Sequence, residues 1–253
     1  MDRYLIFRTH IPIFPACFRH ITGTNSMPRI TAALLLTFLL GSLAACTSNE
    51  EKATQLVDES RRTSSSTYID IASYPGNVTC GKYLDKDYEG YPVYKDFIVV
   101  DTEANLRPNA LDLAVYCSSD PMEALNDALD IDYEAQKEQI DAVLSDFKML
   151  SQPLLDYERD NRYFPWTEQG LQALVEPSPY GNPPRNFPQG GYVQSIPKDP
   201  WGNSYDYVCP PFAGIRVLYA LQSLGADGAE GGSGVNADIK HNYTAYFEHL
   251  NAL

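Results

Sequence analysis

The chain has 253 residues, 44% of them hydrophobic and 21% charged, which supplies an ordinary core and excludes a disordered polymer. Its formal net charge of -14 repels phosphate backbones and anionic headgroups, so a nucleic-acid binder is excluded. An acidic surface suits divalent cations but selects no partner.

Residues 1–26 are irregular. From Met27 the order is a basic residue at Arg29, an apolar run over 30–40, small residues and then Cys46. The run is shorter than the ~20 residues of a spanning helix and has the shape of a secretory signal. Leu43-Ala44-Ala45-Cys46 resembles a bacterial lipobox. The resemblance implies a true start at Met27, a signal region over 1–45, cleavage before Cys46 and a lipid on that cysteine, which gives contact with the membrane. An ordinary cleaved signal or an uncleaved anchor stays open as an alternative. Thr47 stands where an aspartate would mark inner-membrane retention, so the pattern implies the outer membrane, facing periplasm or cell surface.

Residues 46–67, with Ser64-Ser65-Ser66 and mixed charge, read as a lipidated flexible tether. Residues 68–120 read as a small β-rich module: Tyr91-Pro92-Val93-Tyr94, Phe97-Ile98-Val99-Val100 and residues 111–117 are strand-like, and Pro75-Gly76 and Glu89-Gly90 are turn signals. Cys80 and Cys117 flank this segment and are expected to pair in an exported chain, leaving Cys209 over. No thiol spacing suggests a metal site.

From Pro121 the period becomes helical. Ala124, Leu125, Ala128 and Leu129 recur at helix spacing, then Ile140, Val143, Leu144 and Phe147, then Leu150, Leu154 and Leu155. Asp120 is a candidate N-cap before an N1 proline. Pro153 should kink or split the helix, which is expected to end near Asp160-Asn161. Thr167 is placed as the cap of a short helix reaching Leu174, and strands are expected over 205–208 and 215–223. Residues 240–253 read as a polar tail in which His241 and His249 are solvated.

Four motifs follow one another: Asp160-Asn161-Arg162-Tyr163-Phe164-Pro165, Thr167-Glu168-Gln169-Gly170-Leu171-Gln172-Ala173-Leu174-Val175, Ile196-Pro197-Lys198-Asp199-Pro200-Trp201-Gly202-Asn203-Ser204-Tyr205, and Ser223-Leu224-Gly225-Ala226-Asp227-Gly228-Ala229-Glu230-Gly231-Gly232. Together they resemble the globular domain of the type II secretion major pseudopilin. The resemblance implies an α+β fold over 121–239: a long N-terminal helix packed on a small antiparallel sheet, here preceded by the β-rich module. It also implies a structural calcium ion in the glycine-rich loop, with Asp227 and Asp238 as side-chain ligands, Asn236 as a further one, and Leu224, Ser233 and Val235 offering carbonyls. The physics agrees: glycines let carbonyls turn inward, and hard oxygen donors suit calcium. The family often has more acid where this loop reads Gly234-Val235-Asn236, and a loose surface loop with solvated acids is the other reading of these residues.

Pseudopilins carry a long apolar helix with a glutamate near its start. The apolar run here is short, lacks a glutamate and ends in the lipobox, so the filament-subunit role does not carry over. No Gly-x-Ser-x-Gly elbow, P-loop or dinucleotide fingerprint occurs, and no enzyme is expected. The expected function is that of an outer-membrane lipoprotein with a structural or interaction role in type II secretion or envelope assembly, partnered by secretion or pilus components. The alternative is a binding module for a glycan or polypeptide, using the tyrosine-rich stretch 68–94.

Overall fold

The computed structural model describes residues 48–63, 65–181, 183–210 and 218–253. The expected signal region, the start at Met27, Cys46 and the first part of the strand expected over 215–223 lie outside the described residues.

The stretch read as a tether is largely a helix, α1 (Asn49–Arg61). Ser48 Oγ accepts from the Glu51 amide (3.1 Å) and the Glu51 carboxylate accepts from the Ser48 amide (3.2 Å), a reciprocal cap. Ala53 and Val57 are buried against Tyr83, Phe97 and Val99. A polar helix with so narrow an apolar stripe is held because a sheet lies under it. At its last turn Arg61 pairs with Asp85 (3.2 Å) and lies 4.4 Å from the centre of the Tyr83 ring.

That sheet is antiparallel, in the order β1 (Tyr68–Tyr74), β2 (Val78–Lys86), β3 (Pro92–Val100), β4 (Glu103–Asn105). The two segments expected as separate strands over 91–100 are one strand, β3. Side chains alternate across the sheet: Tyr83, Phe97 and Val99 face α1, whereas Val78, Cys80 and Ile98 pack with Leu113, Tyr116 and Cys117. These last belong to α2 (Ala110–Tyr116) and its C-cap, where a strand was expected. The reason is local: Asn109 Oδ1 accepts from the amides of Leu111 and Asp112, and Asp112 accepts from the Asn109 amide. A disulfide joins Cys80 to Cys117 with their Cα atoms 5.9 Å apart, fastening α2 to the sheet. Cys117→Ser should cost about 2–4 kcal/mol of stability, read as a lower urea midpoint; coincident unfolding curves would contradict it.

The expected single helical region is two helices, α3 (Pro121–Leu129) and α4 (Lys137–Asn161). Asp120 Oδ1 caps α3 by accepting from the Glu123 amide (3.0 Å), and Asp130, at φ 53°, closes it in the left-handed region. Helix α4 buries Ile140, Val143, Leu144, Phe147, Leu150, Leu154 and Tyr157. It continues through Pro153 rather than splitting there. Pro153 lies on a half-exposed flank one turn after exposed Met149, where water can satisfy the carbonyl that lacks an N–H partner.

This long helix packs on a second antiparallel sheet, β5 (Asp206–Val208), β6 (Ala220–Ser223) and β7 (Ile239–Lys240), through a core including Phe164, Leu171, Leu174, Tyr205, Tyr207, Leu221 and Ile239. The fold is α+β, a long helix over a small antiparallel sheet behind a β-rich module. The short helix expected from Thr167 shrinks to a 3₁₀ turn at Leu171–Leu174. Thr167 Oγ1 is engaged elsewhere, accepting from the Cys209 amide (2.9 Å).

The expected polar tail is also corrected. It forms α5 (Thr244–Asn251), with Tyr246, Phe247, His249 and Leu250 buried. The Phe247 ring lies 5.1 Å from that of Tyr133 at a tilt of 49°, and Asn251 Oδ1 accepts from Lys137 Nζ (2.6 Å) and from the Tyr133 hydroxyl (3.0 Å). On its other flank the Tyr246 hydroxyl donates to Asp112 Oδ1 on α2 (2.6 Å). Nor is His241 solvated: its ring lies 5.7 Å from Phe147 and 5.6 Å from Tyr219. Among the described residues, no helix is long and apolar enough to cross a membrane.

Candidate functional site: a framed glycine loop

The loop from Leu224 to Asp238 joins β6 to β7, and two other parts of the chain frame it. The first is the turn Asp199-Pro200-Trp201-Gly202-Asn203. Asp199 is buried; its Oδ1 accepts from the amides of Asn203 (2.7 Å) and Trp201 (3.2 Å), and its Oδ2 accepts from Ser223 Oγ (2.7 Å). Asn203 Nδ2 then donates to the Gly225 carbonyl (2.9 Å). Trp201 is partly buried and packs against the core. The second is the α3–α4 turn, where the Asp130 carbonyl accepts from the Gly234 amide (2.7 Å).

Within the loop the Ala226 amide donates to the Val235 carbonyl (2.9 Å). Gly225, at φ 65°, leaves no room for a side chain: a Cβ there would lie 2.6 Å from the carbonyl carbon of Asn236. At Gly232, φ 95°, it would lie 2.5 Å from the Asn236 oxygen. Such close backbone approach answers the alternative of a loose loop: the segment is folded on itself.

The expected ligand residues divide as follows. Asp238 is half-buried; its Oδ2 accepts from the Gly231 amide (3.1 Å), while its Oδ1 is buried with no hydrogen-bond partner among the described residues. Asp227 is exposed, its Oδ1 accepting from the Ala229 amide (3.0 Å). The Ser233 and Val235 carbonyls accept from the amides of Asn236 and Ala226, each keeping a second lone pair. Leu224 and Asn236 are half-buried. No group of three or more His, Cys, Asp or Glu side chains placed to hold a metal ion occurs among the described residues, so a cation here would draw on carbonyls as well as carboxylates. A buried carboxylate oxygen without a hydrogen-bond partner is costly, and the oxygen donors of this loop are chemically compatible with a hard cation.

The framing residues Asp199, Asn203, Ser223 and Asp130 escaped sequence reasoning. The Asp-Pro-Trp-Gly-Asn motif helped to carry the resemblance, but nothing in it signalled that the carboxylate reaches Ser223.

A second cluster resembles a nucleophile and base. Ser151 Oγ and His241 Nε2 are 3.0 Å apart. Ser151, however, donates to the Phe147 carbonyl (2.7 Å), so the imidazole nitrogen must be the donor to Oγ and cannot take its proton. Burial pushes the pKa of His241 down, consistent with a neutral packed ring.

The class defined by this fold and site is an α+β domain in which a long helix lies over an antiparallel sheet and a framed glycine loop. Residues 131–242 match the family described as Type II secretion system (T2SS), protein G. Type II secretion system core protein G of Vibrio cholerae is 46% identical over 96 residues, covering 38% of this chain and 63% of the relative. That of Pseudomonas aeruginosa is 48% identical over 95 residues, covering 37% and 64%. The chain thus spans somewhat less than two thirds of the length of these relatives. The crystal structure of the major pseudopilin from the type 2 secretion system of enterohaemorrhagic Escherichia coli is 36% identical, covering 42% of this chain and 89% of that one, with a TM-score of 0.37. The chain carries a domain like that of the type II secretion major pseudopilin. The match begins at the α3–α4 turn and stops before α5, so α1, the four-stranded sheet, α2, α3 and α5 lie outside it.

Proposed function

We propose that this is a lipid-anchored envelope protein that uses its pseudopilin-like domain as a structural or interaction component of type II secretion or envelope assembly. One observation carries the reading: the match to secretion core protein G over 131–242 coincides with the long helix, the second sheet and the framed loop. Calcium in that loop would supply charge for the partnerless Asp238 oxygen and so fix the β6–β7 connection; Asp238, Asp227, Asn236 and carbonyls of Leu224, Ser233 and Val235 are the residues that would hold it. Cys46 followed by Thr47 supports an outer-membrane anchor. Partners are therefore sought among secretion or pilus components. Crosslinking of intact envelopes followed by capture of this protein should recover such components, and their absence would remove the reading. Labelled palmitate should enter the wild-type chain and be lost in Cys46→Ser; equal labelling would remove the anchor.

A second reading has its own observation. Tyr88, Tyr91 and Tyr94 are exposed on the β2–β3 hairpin, Tyr88 at 95%. Asp87 Oδ1 accepts from the amides of Glu89 and Tyr91 and stiffens the tip. Rigid exposed tyrosines suit a glycan or polypeptide ligand. Titration of the protein with envelope glycans, followed by tyrosine fluorescence, should give saturable binding that Tyr88→Ala weakens; a flat titration would exclude the glycan.

A further inference from the structure

Helix α5 packs against both the pseudopilin-like domain and α2 of the β-rich module, and one residue in it is poorly suited to acid. On one flank Phe247 and Asn251 engage Tyr133 and Lys137 beside and within α4. On the other, Tyr246 bonds Asp112, and the Tyr116 ring of α2 lies 4.9 Å from the ring of His249. The β1–β2 turn closes over the same imidazole: a Cβ on Gly76 would lie 2.5 Å from His249 Cε1. His249 is buried, and its Nε2 has no hydrogen-bond partner among the described residues. A neutral ring tolerates that as an acceptor left empty. An imidazolium needs acceptors for both N–H groups, and a buried charge without them is far more costly.

We propose that α5 is an acid-released latch, in which protonation of His249 opens the contact between α5 and the β-rich module. The groups around the ring set the direction. From the β3–β4 turn, the Asp101 carboxylate favours the proton, but it is tied to Asn77 Nδ2 (3.1 Å). From α2, Asp112 is occupied by the Tyr246 hydroxyl, and Tyr116 is pushed up to about 12 by burial and stays neutral. On α5 itself Tyr246 is also raised by burial, and Glu248 is exposed. Burial outweighs Asp101 and holds the pKa of His249 below its ordinary value. The open form therefore binds the proton more tightly. Latch stability is full above the ordinary imidazole pKa and falls as pH drops toward the folded value.

The test is hydrogen exchange of residues 244–253 in the full chain in detergent, at fixed saturating calcium, from pH 7.5 to 5.5, corrected for intrinsic exchange. Below about pH 6.5 the opening constant should rise by up to tenfold per pH unit, and in His249→Phe it should stay level. A level wild type, or a His249→Phe variant as pH-dependent as wild type, overturns the proposal. Should that variant fail to fold, the NMR titration of His249 in the wild type decides. A midpoint below 6.5 supports the latch, and one at or above it overturns the latch.

Discussion

Phe247→Ala should lower the stability of the protein by about 3–5 kcal/mol, although the residue lies beyond the segment shared with secretion core protein G. Its ring has no solvent exposure and sits 5.1 Å from Tyr133, in the same cluster as Val143, Phe147 and Leu150 of α4. Removing it forfeits the transfer of a large apolar group and leaves a cavity. The hole cannot close cheaply, because α5 is held at one flank by Asn251 and at the other by Tyr246. Glu248→Ala, exposed on the same helix, should stay within about 0.5 kcal/mol of wild type. Urea unfolding of both variants checks the pair; a Phe247→Ala loss under 1 kcal/mol would mean that α5 is not part of the core.

Gly225→Ala should cost more than Gly231→Ala, and the contrast tests whether the loop is a built structure. Both glycines have positive φ, 65° and 94°, so alanine at either should lose about 1–2 kcal/mol from the left-handed conformation alone. At Gly231 a methyl group would meet nothing within 4 Å among the described residues, and the loss should end there. At Gly225 the new methyl would meet the Asn236 backbone at 2.6 Å, and backbone cannot swing aside as a side-chain tip can. The loop must open, releasing the bonds from Asn203 to Gly225 and from Ala226 to Val235, for a total loss of about 3 kcal/mol or more. Equal melting points for the two variants would mean that the close approach does not persist in solution.

The long helix was legible because its residues repeat at the expected period, Ile140, Val143, Leu144 and Phe147 marking one face of α4, and two strands of the second sheet were legible with it, whereas the two-residue β7 is too short to show a period. The motifs marked the loop equally well. The failures share a cause. Helices α1, α2 and α5 are short or polar, and each owes its stability to the surface it covers, which no local pattern shows. Ser48 with Glu51 and Asn109 with Asp112 were nevertheless readable as reciprocal caps. In residues 111–117 the alternation of Leu111, Leu113 and Val115 suggested a strand and hid the cap at Asn109. Residues 240–253 looked polar because their apolar positions, Tyr246, Phe247 and Leu250, are separated by Glu248 and His249, and the buried role of His249 depends on Tyr116 and Gly76, distant in sequence. The frame of the loop was hidden for the same reason: Asp199 and Ser223 are 24 residues apart.

Thermal unfolding with and without calcium is the decisive measurement, because the proposed calcium site rests on the Asp238 oxygen that has no hydrogen-bond partner among the described residues. Calcium at about a hundred times its dissociation constant should stabilise the wild type by ~2.7 kcal/mol, raising its melting temperature by several degrees, and a chelator should reverse the shift. Asp238→Ala should melt at one temperature in both conditions. Wild-type curves that coincide with calcium and with chelator would contradict the account.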